Sequence, residues 1–254
     1  MVSSFGDRMI GYPVIYLETV ESTNQYAAEL ISKNNPIEGT AIIAAHQTHG
    51  KGQIGRSWIS EPHQNLILSV ILKPGFLPLE SQFYLNMMSA LAISSLIESF
   101  VGSGICIKWP NDIYYGNKKI AGILIQNQIA GKKITYSIIG MGLNINQERF
   151  PPEIKNPISL KIATCQTFEI NQLTSKLFDA LEHYYKQLKA SSKEKMKTEY
   201  LSKLYRMNIP AAYTDLEGIG FEGIIRGIRE NGELIMEVNG RQRIFQFNGF
   251  SYNI

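Results

Sequence analysis

Residues 81–101 are apolar around most of the circumference of the helix that their pattern predicts. Such a helix has no side suited to water, so strands and other helices must cover it. The chain has 254 residues and 44% hydrophobic content, enough for one large domain, or for one large and one small domain. No apolar run reaches the roughly 18 residues of a membrane span. We therefore expect a central core helix.

Short apolar runs before and after this segment predict several strands and helices. Predicted strands lie at residues 13–18, 40–47, 65–74, 104–109, 118–129 and 132–146, and predicted helices at 22–34, 81–101, 171–189 and 193–205. The strands at 118–129 and 132–146 are predicted to form a hairpin around "AGKK".

The pattern changes after about residue 206, where short alternating runs are separated by "EG", "ENG" and "NG". Four or five short strands in this segment predict a small SH3-like β-barrel. We therefore expect two domains, 1–205 and 206–254. The second contains five Arg, six acidic residues and no Lys, a balance that argues against a nucleic-acid surface.

The net charge of +3, from 25 basic and 22 acidic residues, gives no case for a dedicated nucleic-acid binder. It suits a mildly positive pocket for an anion. Cys106 and Cys165 lack metal-ligand spacing and are expected to be reduced, buried thiols of a cytoplasmic protein. The first residues do not have the pattern of a signal peptide.

A glycine-rich loop, "HGKGQIGRSW" at 49–58, follows the second predicted strand. Its glycines allow close approach of backbone N–H groups to an anion, and Lys51 and Arg56 add positive charge. Trp58 offers a flat face for a ring. The spacing does not match a Walker A loop. Taken alone, the segment suits a flexible surface loop as well as an anion site.

A second motif, "KWPND" at 108–112, is followed by Lys119. Pro110 ends the preceding strand and brings Asn111 and Asp112 to its end. An amide and a carboxylate there suit phosphate or Mg²⁺. The alternative is a plain Pro-Asn-Asp turn with surface lysines.

Two further motifs have similar alternatives. "GMGLNIN" at 140–146 has two glycines inside a predicted strand, which indicates either close approach of a ligand or a bulge. "ESTN" at 21–24 opens a helix, where it serves either a polar ligand group or simple N-capping by Ser22.

Together the four motifs resemble the pattern of the biotin protein ligases: E-S-T-N, then Q-x-x-G-R-G-R-x-G-R-x-W, then K-W-P-N-D…K-x-x-G-I-L, then G-x-G-x-N. This chain reads "ESTN" 21–24, "QTHGKGQIGRSW" 47–58, "KWPNDIYYGNKKIAGIL" 108–124 and "GMGLNIN" 140–146, in the same order. The resemblance covers the chain to about residue 205, and the small β domain also has a counterpart. It implies an α+β fold, in which a mixed sheet flanked by helices forms a catalytic domain similar to that of class II aminoacyl-tRNA synthetases.

The resemblance implies an enzyme that activates biotin with ATP as biotinyl-5'-AMP and transfers it to a lysine. The partner would be a biotin carboxyl carrier protein domain of a biotin-dependent carboxylase. The catalytic residues would be Lys119, Arg56 and Lys51, and Asp112 would be a ligand of Mg²⁺. ATP would be bound by Arg56, Trp58, Asn111, Lys119 and Asn144. Biotin would be bound by Ser22, Thr23, Asn24, Gln47, Gly50, Lys51, Gly52, Gln53, Lys119, Gly122, Leu124 and Gly140.

The chain departs from the common pattern at Lys51 and Gln53, which replace two arginines, and at Gln126, where some members have Glu. The catalytic pattern starts at residue 13, so we expect a ligase without the DNA-binding repressor domain of some members and without sequence-specific DNA binding. The resemblance also allows a homodimer. The alternatives are a related acyl-adenylate enzyme such as a lipoate ligase, and a non-catalytic binding module.

Overall fold

A computed structural model describes residues 8–53, 55–190 and 192–253 of the chain. Its larger sheet has seven strands in the order β1-β2-β3-β7-β6-β5-β4, in which β1 and β2 are parallel and all other neighbours are antiparallel. This is the predicted mixed sheet. Its strands are β1 (Val14–Val20), β2 (Ala41–Gln47), β3 (Leu66–Leu72), β4 (Ile105–Lys108), β5 (Asp112–Tyr115), β6 (Lys118–Ala130) and β7 (Lys133–Leu143).

The core helix lies where the sequence predicts it. The helices are α1 (Thr23–Asn34), α2 (Phe83–Val101), α3 (Leu160–Thr164), α4 (Ile170–Lys189) and α5 (Lys193–Ser202). α2 is buried along most of its length and packs against α4, α5 and one face of the large sheet. The segment Leu79–Val101 is long and apolar enough to cross a membrane by length and composition alone, so the expectation that no segment reaches this length was wrong. The segment is, however, mostly buried in the core. Burial inside the protein accounts for its composition.

α1 covers the other face of the same sheet. Ala27 and Ile31 of this helix pack on Ile42, Ile71 and Ile138 of β2, β3 and β7. Because α1 and α2 lie on opposite faces, β3 is buried at every position, which explains its almost continuous apolar sequence. The face that carries α1 also carries the candidate site.

Four local features differ from the sequence prediction. Strand β5 begins at Asp112, where the sequence suggested a turn, and the short helix α3 was missed. α5 ends at Ser202 instead of 205. Cys165 is exposed in a left-handed conformation after α3, and Cys106 is only partly buried, so the expectation of two buried thiols was wrong.

The predicted β-rich segment forms a five-stranded antiparallel sheet in the order β11-β10-β9-β8-β12. The edge strands β11 and β12 approach each other, as the 5.2 Å distance between the ring centres of Phe245 on β11 and Phe250 on β12 shows. This curvature agrees with the predicted small barrel. The domain boundary near residue 205 stays a prediction. The strands are β8 (Pro210–Asp215), β9 (Gly220–Ile228), β10 (Leu234–Val238), β11 (Arg241–Phe245) and β12 (Phe250–Tyr252).

Trp109 joins the two sheets. Its ring stacks parallel to that of Phe250 at 5.8 Å, and its Nε1–H donates to the Gly232 carbonyl at 2.8 Å. Gly232 has φ +93°, and a Cβ at this position would overlap the ring of Phe83 on α2. The turn before β10 is therefore fitted closely against both Trp109 and the core helix.

We expect Trp109→Ala to lower the free energy of unfolding by about 3–5 kcal/mol, the range for removing a large buried aromatic side chain. Trp109 is 3% exposed, and its loss also leaves the Gly232 carbonyl without a donor. Equilibrium unfolding in urea measures the change. Ile219→Ala is the control, since this side chain is 58% exposed. Similar losses in the two variants would contradict the role assigned to Trp109.

Candidate active site

One pocket on the α1 face of the large sheet collects residues from all four sequence motifs. The N-terminus of α1, the glycine-rich loop, the segment before β5 and the central parts of β6 and β7 surround it. Its lining consists of Ser22, Thr23, Asn24, Gln47, Lys51, Gly52, Gln53, Arg56, Ser57, Trp58, Ile67, Asn111, Asp112, Lys119, Gly122, Ile123, Leu124, Gly140, Met141 and Gly142.

One end of this pocket is lined by Thr23, Asn24 and Gln47. Together with Ser69, which bonds Thr23 and Asn24, these residues are called the polar corner. Thr23 donates to Gln47 Oε1 from its backbone N at 2.7 Å and from Oγ1 at 3.0 Å. Ser69 Oγ lies 2.7 Å from Asn24 Oδ1. These buried groups hold one another in place and suit an uncharged polar ligand group. Ser22 occupies the N-cap position of α1 but makes no side-chain capping bond, so capping does not explain its hydroxyl.

Gly140 admits Asn24 to the sheet surface, since a Cβ at Gly140 would overlap the Asn24 side-chain oxygen. The Asn24 amide donates to the Leu124 carbonyl at 3.2 Å and to Gln126 Oε1 at 3.1 Å. The pairing of β7 with β3 runs without a register shift through Gly140. Close approach, and not a bulge, therefore explains this glycine.

Trp58 lies across the middle of the pocket floor. Gly122 and Gly142 are register partners on β6 and β7. A Cβ at Gly142 would overlap the indole, and one at Gly122 would come within 3.3 Å of it. The two glycines thus form a flat seat for the ring. Its Nε1–H is buried and has no hydrogen-bond partner among the described residues.

The charged end of the pocket lies beyond Trp58. Lys119 Nζ is 2.6 Å from Asp112 Oδ1 and 5.8 Å from the centre of the Trp58 ring. Asn111 Nδ2 donates to the Ile123 carbonyl at 2.6 Å, which fixes the segment before β5. The lysine and carboxylate are close enough that an anion would share the lysine with Asp112. A plain surface turn does not account for this arrangement.

The glycine-rich loop folds back on itself. Gly52 N–H donates to the Arg56 carbonyl at 2.7 Å, and Trp58 N–H donates to the Gly50 carbonyl at 2.9 Å. Lys51 Nζ donates to Gln25 Oε1 of α1 at 3.1 Å. These bonds bring Lys51, Arg56 and Trp58 to one side of the pocket, so the loop forms part of its wall.

Most of the predicted site residues meet in this pocket, but Gly50 and Asn144 do not line it. Asn144 is buried, and its Nδ2 donates to the Ile158 carbonyl at 3.1 Å. Ile67 and Met141 also line the pocket, but the sequence motifs did not identify them. They lie on β3 and β7, and their position at the site follows only from the pairing register of these strands. The described residues contain no cluster of three or more metal-binding His, Cys, Asp or Glu side chains.

The chain is similar to known ligases in both sequence and structure. The profile described as "Biotin/lipoate A/B protein ligase family" matches residues 16–144. The bifunctional ligase/repressor BirA of Bacillus subtilis (strain 168) is 32% identical over 241 residues, which are 93% of this chain and 73% of that protein. The biotin–[acetyl-CoA-carboxylase] ligase of Mycobacterium tuberculosis is 27% identical over 233 residues, or 89% of this chain and 84% of that protein.

A solved structure gives the same picture of the fold. The biotin protein ligase from Aquifex aeolicus, in complex with biotin and ATP, superposes with a TM-score of 0.78 at 26% identity. The match covers 94% of this chain and 97% of that chain. It therefore includes both sheets.

We expect Gly142→Ala to displace the Trp58 ring, because the added methyl group overlaps the indole. Acrylamide should then quench tryptophan fluorescence more strongly, since Trp109 remains buried and contributes little to quenching. Gly75→Ala is the control, because the nearest atom to a Cβ there is 3.9 Å away. Unchanged quenching in Gly142→Ala would contradict the seat described for Trp58.

Proposed function

We propose, since the chain belongs to the biotin/lipoate A/B protein ligase family, that it is an ATP-dependent biotin–protein ligase. The enzyme activates biotin as biotinyl-5'-AMP and transfers it to a lysine of a biotin carboxyl carrier protein domain. The observation that supports this most directly is that one pocket holds a neutral polar corner and a charged end on either side of Trp58. A substrate with a polar ring and a carboxylate, together with ATP, needs both ends.

In the first half-reaction, the carboxylate of biotin attacks the α-phosphate of ATP, and pyrophosphate leaves. We assign the ureido group of biotin to the polar corner, where Thr23 and Gln47 lie. The carboxylate then lies near Lys119. Bringing a carboxylate to a polyphosphate concentrates negative charge, which Lys119, Lys51 and Arg56 offset. Of the remaining predicted biotin ligands, all except Gly50 line the same pocket, namely Ser22, Asn24, Gly52, Gln53, Gly122, Leu124 and Gly140.

In the second half-reaction, a neutral lysine amine of the carrier domain attacks the acyl carbon. An amide bond forms, AMP leaves, and the amine loses a proton. The acyl-adenylate is open to hydrolysis, so the site must exclude water until the carrier arrives. We assign this protection to the glycine-rich loop, whose side chains Lys51 and Arg56 already form part of the wall.

Mg²⁺ is proposed to arrive with ATP. Magnesium sites of this type use one or two protein carboxylates together with substrate phosphates. Asp112 is the carboxylate that lines the pocket, and Lys119 already neutralises part of its charge. These residues fit a metal held mainly by the nucleotide. Asp112 as a ligand, and Asn111, Trp58 and Asn144 as ATP-binding residues, stay proposals.

The finer points about partners and location also stay proposals. They are a homodimer, the absence of sequence-specific DNA binding, and a cytoplasmic location. The balanced charge of the 206–254 segment supports the second point for that segment. The core burial of α2 supports a soluble protein over one that crosses a membrane with this helix.

The activity is tested by biotin-dependent exchange of labelled pyrophosphate into ATP, followed by transfer of labelled biotin to a carrier domain. We expect biotin to support exchange and lipoate not to do so, because the polar corner is built to bond a ureido group. A carrier domain whose target lysine is replaced by arginine is the matched control and should accept no label. Exchange driven by lipoate instead of biotin would contradict the proposal.

Within the same assay, Lys119→Ala should reduce adenylation far more than Gln53→Ala. Lys119 supplies a positive charge beside Asp112, whereas Gln53 lines the pocket without a charge. We expect Gln53→Ala to stay within about tenfold of the wild type, or about 1.4 kcal/mol in the barrier. Equal losses in the two variants would show that Lys119 does not carry the electrostatics.

A further inference from the structure

A row of residues crosses the large sheet from the pocket floor to its edge. Gly142, Gly122, Asp112 and Lys108 are successive register partners on β7, β6, β5 and β4. The first three line the pocket. Residues directly opposite each other on neighbouring strands share a face, with Cβ atoms roughly 4.5–5.5 Å apart. Lys108 therefore stands next to Asp112, one strand farther from Trp58.

The face on which Lys108 lies is consistent with this position. Ile105 and Ile107 of β4 belong to the core cluster that contains α2. Because side chains alternate along a strand, Lys108 lies on the opposite face, the one that carries the pocket.

Aromatic rings of both sheets hold the Lys108 ammonium. It donates to Tyr114 Oη at 3.1 Å and lies 5.0 Å from the centre of that ring. The ring of Tyr252 on β12 lies 4.9 Å away on the other sheet. Such contacts stabilise a cation and fix its place. They leave it without an ion pair to any carboxylate of the described residues.

The charge of Lys108 is poorly compensated. Burial lowers its pKa to about 8, nearby Asp112 opposes this shift, and Lys119, Arg56 and Arg206 add to it. The Asp112 carboxylate is already bonded to Lys119. An anion bound at this end of the pocket would therefore stabilise Lys108 as well as Lys119.

The order of groups across the sheet indicates which anion this is. The polar corner lies over β3 and β7, Trp58 over β7 and β6, and the Lys119–Asp112 pair over β6 and β5. In phosphoryl transfer, the attacking and leaving oxygens lie roughly in line. If the carboxylate of biotin attacks from the side of the polar corner, pyrophosphate leaves on the opposite side, toward Lys108.

We propose that Lys108 is a further binding residue for the polyphosphate of ATP and holds the pyrophosphate end of the nucleotide. This inference rests on the proposed ligase function. It assigns Lys108 to the first half-reaction alone, because the second half-reaction contains no pyrophosphate.

The test compares the two half-reactions in the full chain. We expect Lys108→Met, which removes the charge and keeps an unbranched chain between the rings, to raise the KM for ATP and for pyrophosphate in the exchange reaction at least tenfold. Transfer from added biotinyl-5'-AMP to the carrier domain should stay within about twofold of the wild type, because this step contains no pyrophosphate and its barrier should hardly change. Lys118→Met is the control, because Lys118 is an exposed lysine on β6.

Lys108→Arg adds a second comparison and should recover most of the affinity for ATP, because it keeps the positive charge. Equal loss of exchange and transfer in Lys108→Met would overturn the proposal, since it would indicate a structural role at the junction of the sheets. An unchanged KM for ATP, or equal defects in Lys108→Met and Lys108→Arg, would also overturn it. Absence of biotin-dependent exchange in the wild type would instead refute the ligase function.

Discussion

The close approach of side chains to bare backbone on β6 and β7 is the constraint on which the pocket depends. Asn24 lies against the sheet where Gly140 has no side chain, and Trp58 lies flat where Gly122 and Gly142 have none. These contacts fix the polar corner at one end and leave the charged end at the other. A substrate that extends across Trp58 is therefore bound at both ends, so that binding also fixes the orientation of its reacting group.

The "KWPND" segment connects this pocket to the rest of the molecule. Trp109 faces the second sheet, where it contacts Phe250 and the Gly232 carbonyl. Asn111 and Asp112, two and three residues later, face the pocket. This five-residue segment connects β4 to β5 and contacts the second sheet through one residue and the pocket through two others. The position of Asp112 in the pocket is therefore linked to the packing of Trp109 on the second sheet.

The sequence predicted the elements and residue sets whose signal is local. α2 could be predicted because its apolar pattern is long, and the site residues could be grouped because four motifs resemble one family. Strand β5 was missed, since four residues that begin with Asp112 give little periodicity. Asn144 was expected at the pocket, but its amide bonds the Ile158 carbonyl, a partner that no spacing reveals. The neighbourhood of Lys108 depends on cross-strand register and on a ring 144 positions away (252 − 108), which sequence patterns do not encode.

The junction between the sheets also bears on the order in which the chain is made. Trp109 and Phe83 emerge from the ribosome long before Phe247 and Phe250, the rings that stack on them. Until those last partners are synthesised, the nascent chain carries an uncovered aromatic patch beside an otherwise complete seven-stranded sheet. Exposed apolar surface of this kind is where partly made proteins associate wrongly or recruit chaperones. The aromatic junction can therefore form only after every strand of the larger sheet has been synthesised.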